Sequence, residues 1–471
     1  MNPLEISPDQ LRRLLDEVRK LSLRYLEGLD TQPIVPKISG VEAKRMFQGR
    51  WPREGLKDEA VAQLDCIIQN SRAQNGRFFG YVLGSGEPVA AVADLLSSVL
   101  NQNVTAWRSS PTGVTIEKAV VSWLADAIGC GGFQGSLTGG GSYANLMALT
   151  MAREATQPAN VQGPGSRSGV VYASDEVHMS IPKGIALLGI GRNNLRLVPT
   201  DESFRMCPEE LERMMLRDHA AGAVPIAVVA SAGTVNTGAV DPLPQLSEIA
   251  RRHGAWLHVD GAYGALAAIA VPNRFQGLAL ADSVSLDPHK WLYQPVDCGC
   301  LLFRDPSAAR AAFSHTGAYA SPLSSDPIES FAFFEESLEL SRRFRALKLW
   351  LSLRYHGLEA FRQSIKNDLA HARRLADCIA VQPEFELVAP VELSSVCFRY
   401  LGNGGLSEAE LNRLNPAILK RLNQRGRVYL SNATLGAKFC LRACVINHRT
   451  SDADIDSVVP EILAAAAEVM R

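Results

Sequence analysis

Four clusters of residues in this sequence have types and spacing that suit chemistry. The run Gly135-Ser-Leu-Thr-Gly-Gly-Gly141-Ser142-Tyr-Ala-Asn145 sets three glycines and a serine directly before a helical pattern. Exposed backbone N–H groups, the positive end of a helix dipole and a hydroxyl together suit an anion of phosphate size. No Gly-Lys-Ser/Thr follows, so this is not a nucleoside-triphosphate loop, and taken alone it also reads as a tight strand-to-helix turn. In His258-Val-Asp260-Gly-Ala262-Tyr263, Asp260 falls at the carboxyl end of an apolar run. A carboxylate there needs a cationic or protonated partner, because an unpaired buried charge is unstable; a helix cap or a salt bridge would meet the same need.

The third cluster, Ser283-Val-Ser-Leu-Asp287-Pro-His289-Lys290-Trp291, ends another apolar run with a lysine. Desolvation lowers a lysine's pKa and makes its amine nucleophilic, whereas an ordinary surface lysine stays protonated. The fourth is His178 in Ser174-Asp-Glu-Val-His178-Met-Ser180, which by itself reads equally as a structural histidine. Phosphate cradle, buried carboxylate and activated amine together are what pyridoxal phosphate requires. Other motifs fall away. Gly189-Ile-Gly191-Arg-Asn-Asn194 has asparagine where a dinucleotide fingerprint needs its third glycine, and it follows a helical stretch, so it is a turn. Cys298-Gly-Cys300 has no neighbouring ligands, no His-Glu-x-x-His occurs, and no metal site is expected.

The elements that must position these residues alternate in a βαβ rhythm. Short apolar runs at 169–173, 226–230, 256–259, 283–286 and 300–303 are separated by helical stretches, the pattern of a parallel sheet. In such sheets ligands sit outside the carboxyl ends of the strands, so the polar residues after the runs should meet in one crevice. A helical stretch at 346–355 is stopped by Gly357, and runs at 385–388, 395–400, 427–430 and 439–445 lead to a final helix over 452–470. That reads as an arm (1–75), a large domain (76–345) and a small α/β domain (346–471).

The opening helix has Ser7 as cap, Pro8 as first residue and Gln10 as capping-box partner, then Leu11, Leu14, Leu15, Val18, Leu21 and Tyr25 at helical spacing. Its stripe fits either its own core or a second subunit.

Composition narrows the class. With 48 Lys plus Arg against 49 Asp plus Glu in 471 residues, the formal charge is -1, which argues against nucleic acid or an anionic membrane as partner. Hydrophobic residues at 46% and charged residues at 21% suit a folded globular protein. Nine cysteines without framework spacing suit a reducing compartment, so cytoplasm is expected. Neither a signal peptide nor a membrane span is expected.

With Gly76-Arg-Phe-Phe-Gly-Tyr81, Ser109-Ser-Pro-Thr-Gly-Val-Thr-Ile-Glu117 and Ser341-Arg-Arg-Phe-Arg345-Ala-Leu-Lys-Leu-Trp350 added to the clusters above, the chain resembles the group II pyridoxal-phosphate-dependent amino-acid decarboxylases. Their relatives include the aromatic-L-amino-acid, histidine, glutamate and diaminobutyrate decarboxylases. The resemblance implies pyridoxal-phosphate fold type I, with a seven-stranded, mostly parallel large sheet. It implies an obligate homodimer with a shared active site, and an arm wrapped on the partner. It implies that Lys290 bonds to the cofactor aldehyde, Asp260 pairs with the pyridine nitrogen, His178 stacks on the ring and Ala262 packs below it. Gly141, Ser142, Ser283 and His289 would hold the phosphate, and Thr234 would line the ring.

A tyrosine on a loop reprotonates the substrate carbon in this family, and Tyr319 lies at the matching distance before Ser341; phenylalanine there accompanies aldehyde formation. Where the aromatic branch surrounds the substrate with aromatic side chains, this chain has Ala73, Val82 and Thr105, while Tyr81 is retained. Ser341 replaces a glycine. The expected activity is decarboxylation of an L-amino acid, aromatic by default. A smaller or polar substrate of the histidine, glutamate or diaminobutyrate type stays open, as does an aminotransferase on the same fold.

Overall fold

The computed structural model describes residues 2, 4–50, 53–315 and 324–471. Its main sheet has seven strands: β1 (Gln134–Thr138), β2 (Gly169–Ser174), β3 (Leu195–Val198), β4 (Val224–Ser231), β5 (Trp256–Asp260), β6 (Ser283–Leu286) and β7 (Gly299–Phe303). They lie in the order β1-β7-β6-β5-β4-β2-β3. Pairings from β6 to β3 are parallel, and β7 is antiparallel to both β1 and β6, which leaves β1 parallel to the rest. The carboxyl ends of β1, β2, β4, β5 and β6 therefore share one edge.

The apolar runs are continuous because both faces of the sheet are covered. Val170 and Tyr172 of β2 pack with Val228 and Leu257 on one face, together with Val120 and Leu124 of the helix Pro111–Ala127. Val171 and Ala173 point the other way, against Ala148 and Met151 of the helix Gly141–Thr156. Alternate residues of one strand thus feed two cores, as the pleat requires.

A second sheet, antiparallel throughout, joins β8 (Phe385–Leu387), β9 (Ser395–Tyr400), β10 (Ser431–Leu435) and β11 (Lys438–Cys444) in the order β10-β11-β9-β8. It packs on the helices Leu358–Ala380, Glu408–Arg425 and Val458–Val469. The strand expected over 427–430 is instead a single parallel bridge, Phe78 to Tyr429, and β10 begins at Ser431. Gly426, with φ 70, turns the chain there, and the segment pairs with the stretch around Phe78 instead of the sheet. The expected final helix breaks at Ser457 into Asp452–Asp456 and Val458–Val469.

The opening helix, Pro8–Glu27, carries the expected capping box: Ser7 Oγ accepts from Gln10 N, and Gln10 Oε1 accepts from Ser7 N. Only part of its stripe packs on this chain: Leu21 is buried and Leu14 and Tyr25 are half-buried, while Leu11, Leu15 and Val18 stay 40–47% exposed. Residues 189–194 form the expected turn, with Asn194 Nδ2 donating to Ile190 O. Among the described residues no helix is long and apolar enough to cross a membrane. Tyr319 lies outside the described residues.

Candidate active site

The shared strand edge borders a cavity of about 710 Å3. Its lining includes Gly141, Ser142, His178, Thr234, Asp260, Ala262, His289 and Lys290, which gathers nearly all of the cofactor residues expected from sequence. Tyr81 and Val82 also line it.

Each polar group has a local reason for its place. Asp260 ends β5 and is buried, with Oδ1 accepting from Ala262 N at 3.2 Å and Ser285 Oγ at 3.2 Å. Its Oδ2 accepts from Asn145 Nδ2 at 2.7 Å. That contact is one link in a directed chain. Trp256 Nε1 donates to Ser283 Oγ at 2.8 Å, and Ser283 Oγ lies 2.9 Å from His258 Nδ1. His258 Nε2 lies 2.9 Å from Asn145 Oδ1, and Asn145 Nδ2 also donates to Ser180 Oγ at 2.9 Å. Ser180 Oγ and Ser180 N stand 2.9 and 3.3 Å from His178 Nδ1. An amide oxygen only accepts, so His258 carries its proton on Nε2; Ser180 N–H points at His178 Nδ1, so His178 accepts there and keeps its proton on Nε2. Burial lowers the pKa of both histidines, favouring these neutral forms.

Lys290 follows β6 in a short helical turn, Pro288–Trp291, and its Nζ lies 2.9 Å from Asp287 Oδ2. Asp287 Oδ1 is buried without a hydrogen-bond partner. His289 Nδ1 lies 2.7 Å from Cys298 O, and burial lowers its pKa. Thr234 Oγ1 lies 2.8 Å from Thr237 Oγ1.

The glycine turn fits an anion cradle. Gly140 has φ 130, and a Cβ on Gly141 would lie 2.6 Å from the Ala262 Cβ, so only glycine lets the helix start approach the floor of the cavity. The first N–H groups of the helix Gly141–Thr156 have no intrahelical acceptor. Anion cradle, buried carboxylate and lysine are the donor set pyridoxal phosphate needs.

Besides Ala73, which is buried and does not line the cavity, three expected residues stand elsewhere. Ser283 is at the amino end of β6, bonded to Trp256 and His258, and does not line the cavity. Ser285 points the same way two residues nearer the carboxyl edge, and it is Ser285 that reaches Asp260. Thr105 and Ser341 do not line this chain's cavity either. Their flanking residues are joined instead: Val104 N donates to Arg342 O at 2.9 Å, and Arg342 N to Asn103 Oδ1 at 2.9 Å.

The family model described as Pyridoxal-dependent decarboxylase conserved domain matches residues 62–401. The chain belongs to the pyridoxal-dependent decarboxylase family. It is 32% identical over 472 residues to an aromatic-L-amino-acid decarboxylase of Bacillus atrophaeus, covering 99% of this chain and 97% of the relative. Among solved structures it is similar to Oryza sativa TDC with PLP and tryptamine (TM-score 0.93, 28% identity, all of both chains). It is also similar to Catharanthus roseus tryptophan decarboxylase in complex with L-tryptophan (TM-score 0.89, 30% identity, all of both chains). Fold type I, the pyridoxal-phosphate cofactor and carboxy-lyase activity on an amino acid come with the family.

Several residues that shape this decarboxylase site gave no functional signal in the sequence. Asn145 lies one helical turn beyond the glycines, and Asp287 begins the Asp-Pro-His-Lys run. Glu176 lines the cavity, accepting from Asn236 Nδ2 at 2.9 Å, and burial raises its pKa. Arg442 lines it from β11, donating to Val235 O at 2.5 Å and Ser431 Oγ at 3.1 Å. Nothing local in its sequence announces Arg442.

Proposed function

We propose that this chain decarboxylates an aromatic L-amino acid to the amine and carbon dioxide, acting as a cytoplasmic homodimer whose two copies share each active site. Lys290, Asp260, His178 and the glycine turn converge on one cavity, and that convergence carries the assignment. Pyridoxal phosphate, when bound, supplies an electron sink for the pair released as carbon dioxide departs.

The chain's own residues supply position and protons. Lys290 would hold the cofactor through its amine. Asp260, oriented by Asn145 and Ser285, would offer its carboxylate to the pyridine nitrogen and favour a proton there. Gly141 and Ser142 N–H groups, the Ser142 hydroxyl and His289 would hold the phosphate. Ala262 and Thr234 would border the ring, and His178 would cover its face and offer Nε2–H to the substrate. Arg442, a cation on the cavity wall, would help turn the substrate so that the bond to its carboxylate could stand perpendicular to the ring system, the geometry that cleavage requires. Tyr319 is the proposed donor of the proton that replaces the carboxylate.

Homodimer formation is supported by what one chain leaves open. Thr105 and Ser341, whose neighbours Val104 and Arg342 are hydrogen-bonded to each other, do not line this chain's cavity and would line the partner's. Apolar side chains stay exposed on the opening helix and at Val92, Leu95 and Val99 of the helix Pro88–Leu100, surface that a partner would cover. All nine cysteines are unpaired, which supports a reducing cytoplasm.

The test is a panel of L-amino acids incubated with the reconstituted holoenzyme and scored for amine. Tryptophan, tyrosine or phenylalanine should yield amine fastest. Faster release from histidine, glutamate or diaminobutyrate would overturn the aromatic assignment. A new amino acid appearing only when a 2-oxo acid is added would indicate transamination.

A further inference from the structure

Tyr81 stands half-exposed on the cavity wall, held by groups from two other parts of the chain. Arg72 Nη1 donates to its hydroxyl at 3.3 Å, and the Tyr429 hydroxyl lies 3.1 Å away. The Arg72 guanidinium is fixed 4.4 Å above the Tyr429 ring, whose stack with Phe78 has centroids 5.1 Å apart and planes 7° from parallel. Tyr429 is pinned through its backbone, donating to Arg77 O at 3.1 Å and accepting from Phe79 N at 2.9 Å. Gly80 admits the ring, since a Cβ there would lie 2.3 Å from it. Tyr81 itself takes φ 63, an uncommon conformation for a bulky residue and one that surrounding structure must enforce.

This assembly is seated on the lysine turn. Gly84 N donates to His289 O at 3.1 Å, and a Cβ on Gly84 would lie 2.4 Å from Lys290 O. Tyr81 and Val82 thus border the same cavity as Lys290, held there by the contact of Gly84 with the lysine turn.

A phenol oxygen donates one hydrogen bond and accepts two. Tyr81 accepts from Arg72 and exchanges one bond with Tyr429. If it donates to Tyr429, a lone pair remains for a substrate O–H; if Tyr429 donates, its own O–H remains for a substrate oxygen. Either arrangement leaves one bond for a hydroxyl, which can play both roles. The bonds to Tyr429 and Arg72 lower the phenol's pKa, which strengthens it as a partner. Arg72 does not line the cavity and directs its Nη1 at Tyr81, so a substrate meets the phenol and the apolar Val82, not the cation. That stretch of wall suits a ring with a hydroxyl better than a carboxylate, the cations Lys183 and Arg442 lying on other elements of the lining.

We propose that Tyr81, positioned by Arg72 and Tyr429, selects substrates whose ring carries a hydroxyl, so that hydroxylated aromatic L-amino acids are preferred to their unsubstituted counterparts. This rests on the aromatic-amino-acid reading above. Arg72 and Tyr429 are positioning residues that act through Tyr81.

The experiment measures kcat/KM of the holoenzyme for L-tyrosine against L-phenylalanine and for 5-hydroxy-L-tryptophan against L-tryptophan, with cofactor absorbance reporting the loading of every variant. The hydroxylated member of each pair should be favoured about tenfold or more. Tyr81→Phe and Arg72→Met should each bring both ratios toward one, mainly through a higher KM for the hydroxylated member, and Arg72→Lys should restore part of the preference. Equal values within both wild-type pairs, or unchanged ratios in the fully loaded variants, would overturn the selection while leaving aromatic decarboxylation standing. Absence of amine from all four substrates, or faster turnover of glutamate, would remove both.

Discussion

Asn145 Nδ2 stands 2.7 Å from Asp260 Oδ2 and 2.9 Å from Ser180 Oγ, so one amide sets the direction of the buried carboxylate and, through Ser180, the tautomer of His178. Replacing Asn145 by Ala leaves His258 Nε2 without its acceptor and takes one donor from Asp260 and one from Ser180, which keeps its bond to His178. Each buried polar group left unpaired costs about 1–3 kcal/mol, so Asn145→Ala should lower the unfolding free energy measurably in a denaturant titration. Asn145→Asp should weaken cofactor binding further, because two carboxylates then share the site. Unchanged cofactor affinity in Asn145→Asp would show that this chain of bonds does not govern Asp260.

Lys290→Ala should remove the visible absorbance of the loaded protein and depress amine formation by roughly three orders of magnitude. Borohydride reduction of the wild type followed by peptide mapping should place the cofactor label on Lys290. A label elsewhere would contradict the assignment.

Glu117 and Arg342 form a fully buried ion pair, with Arg342 Nη2 to Glu117 Oε1 at 2.5 Å. Arg342 also donates to Val104 O at 2.8 Å and Leu137 O at 2.9 Å, and Glu117 accepts from Leu137 N at 2.9 Å. The pair thereby fastens the stretch bearing Thr105 to the one bearing Ser341. Arg342→Met strands a buried carboxylate and should cost about 3–5 kcal/mol in chemical denaturation, with a smaller added loss on combining it with Glu117→Leu. Full additivity would mean that the two residues act independently.

Asp368 is buried, accepting from Tyr293 Oη at 2.7 Å and Asn447 N at 3.1 Å, and burial raises its pKa to about 8. The folded state therefore holds a proton that the unfolded chain releases near 3.8. Its contribution to stability is complete below that lower value and is lost as pH rises toward the folded pKa. Asp368→Asn keeps the acceptor without the titration. The Tm of the wild type relative to this variant should fall by a few degrees between pH 5 and pH 8 in differential scanning calorimetry; a constant difference would show that Asp368 stays ionised.

The local order of residues 135–145, 174–180, 258–263 and 283–291 was enough to read a mostly parallel sheet and to bring a glycine turn, a buried acid and a lysine to one cavity, because each depends on neighbours in sequence: glycines before a helix, or a polar residue ending an apolar run. Strand edges were legible for the same reason, while the 427–430 segment was misread as a strand because its partner, near Phe78, lies far away in the chain.

What the sequence left undecided was everything set by distant contacts. Ser283 and Ser285 have the same type and the same side of β6, and only the register against β5 brings Ser285, not Ser283, to Asp260. Arg442 and Tyr429 reach the cavity region from the small sheet and its approach, and Asn145 acquires a role only because His258 and Asp260 lie beside its helix. Residue type and local spacing specify which groups are available for chemistry; a hydrogen bond of about 3 Å between residues a hundred positions apart is specified only when packing brings the elements together.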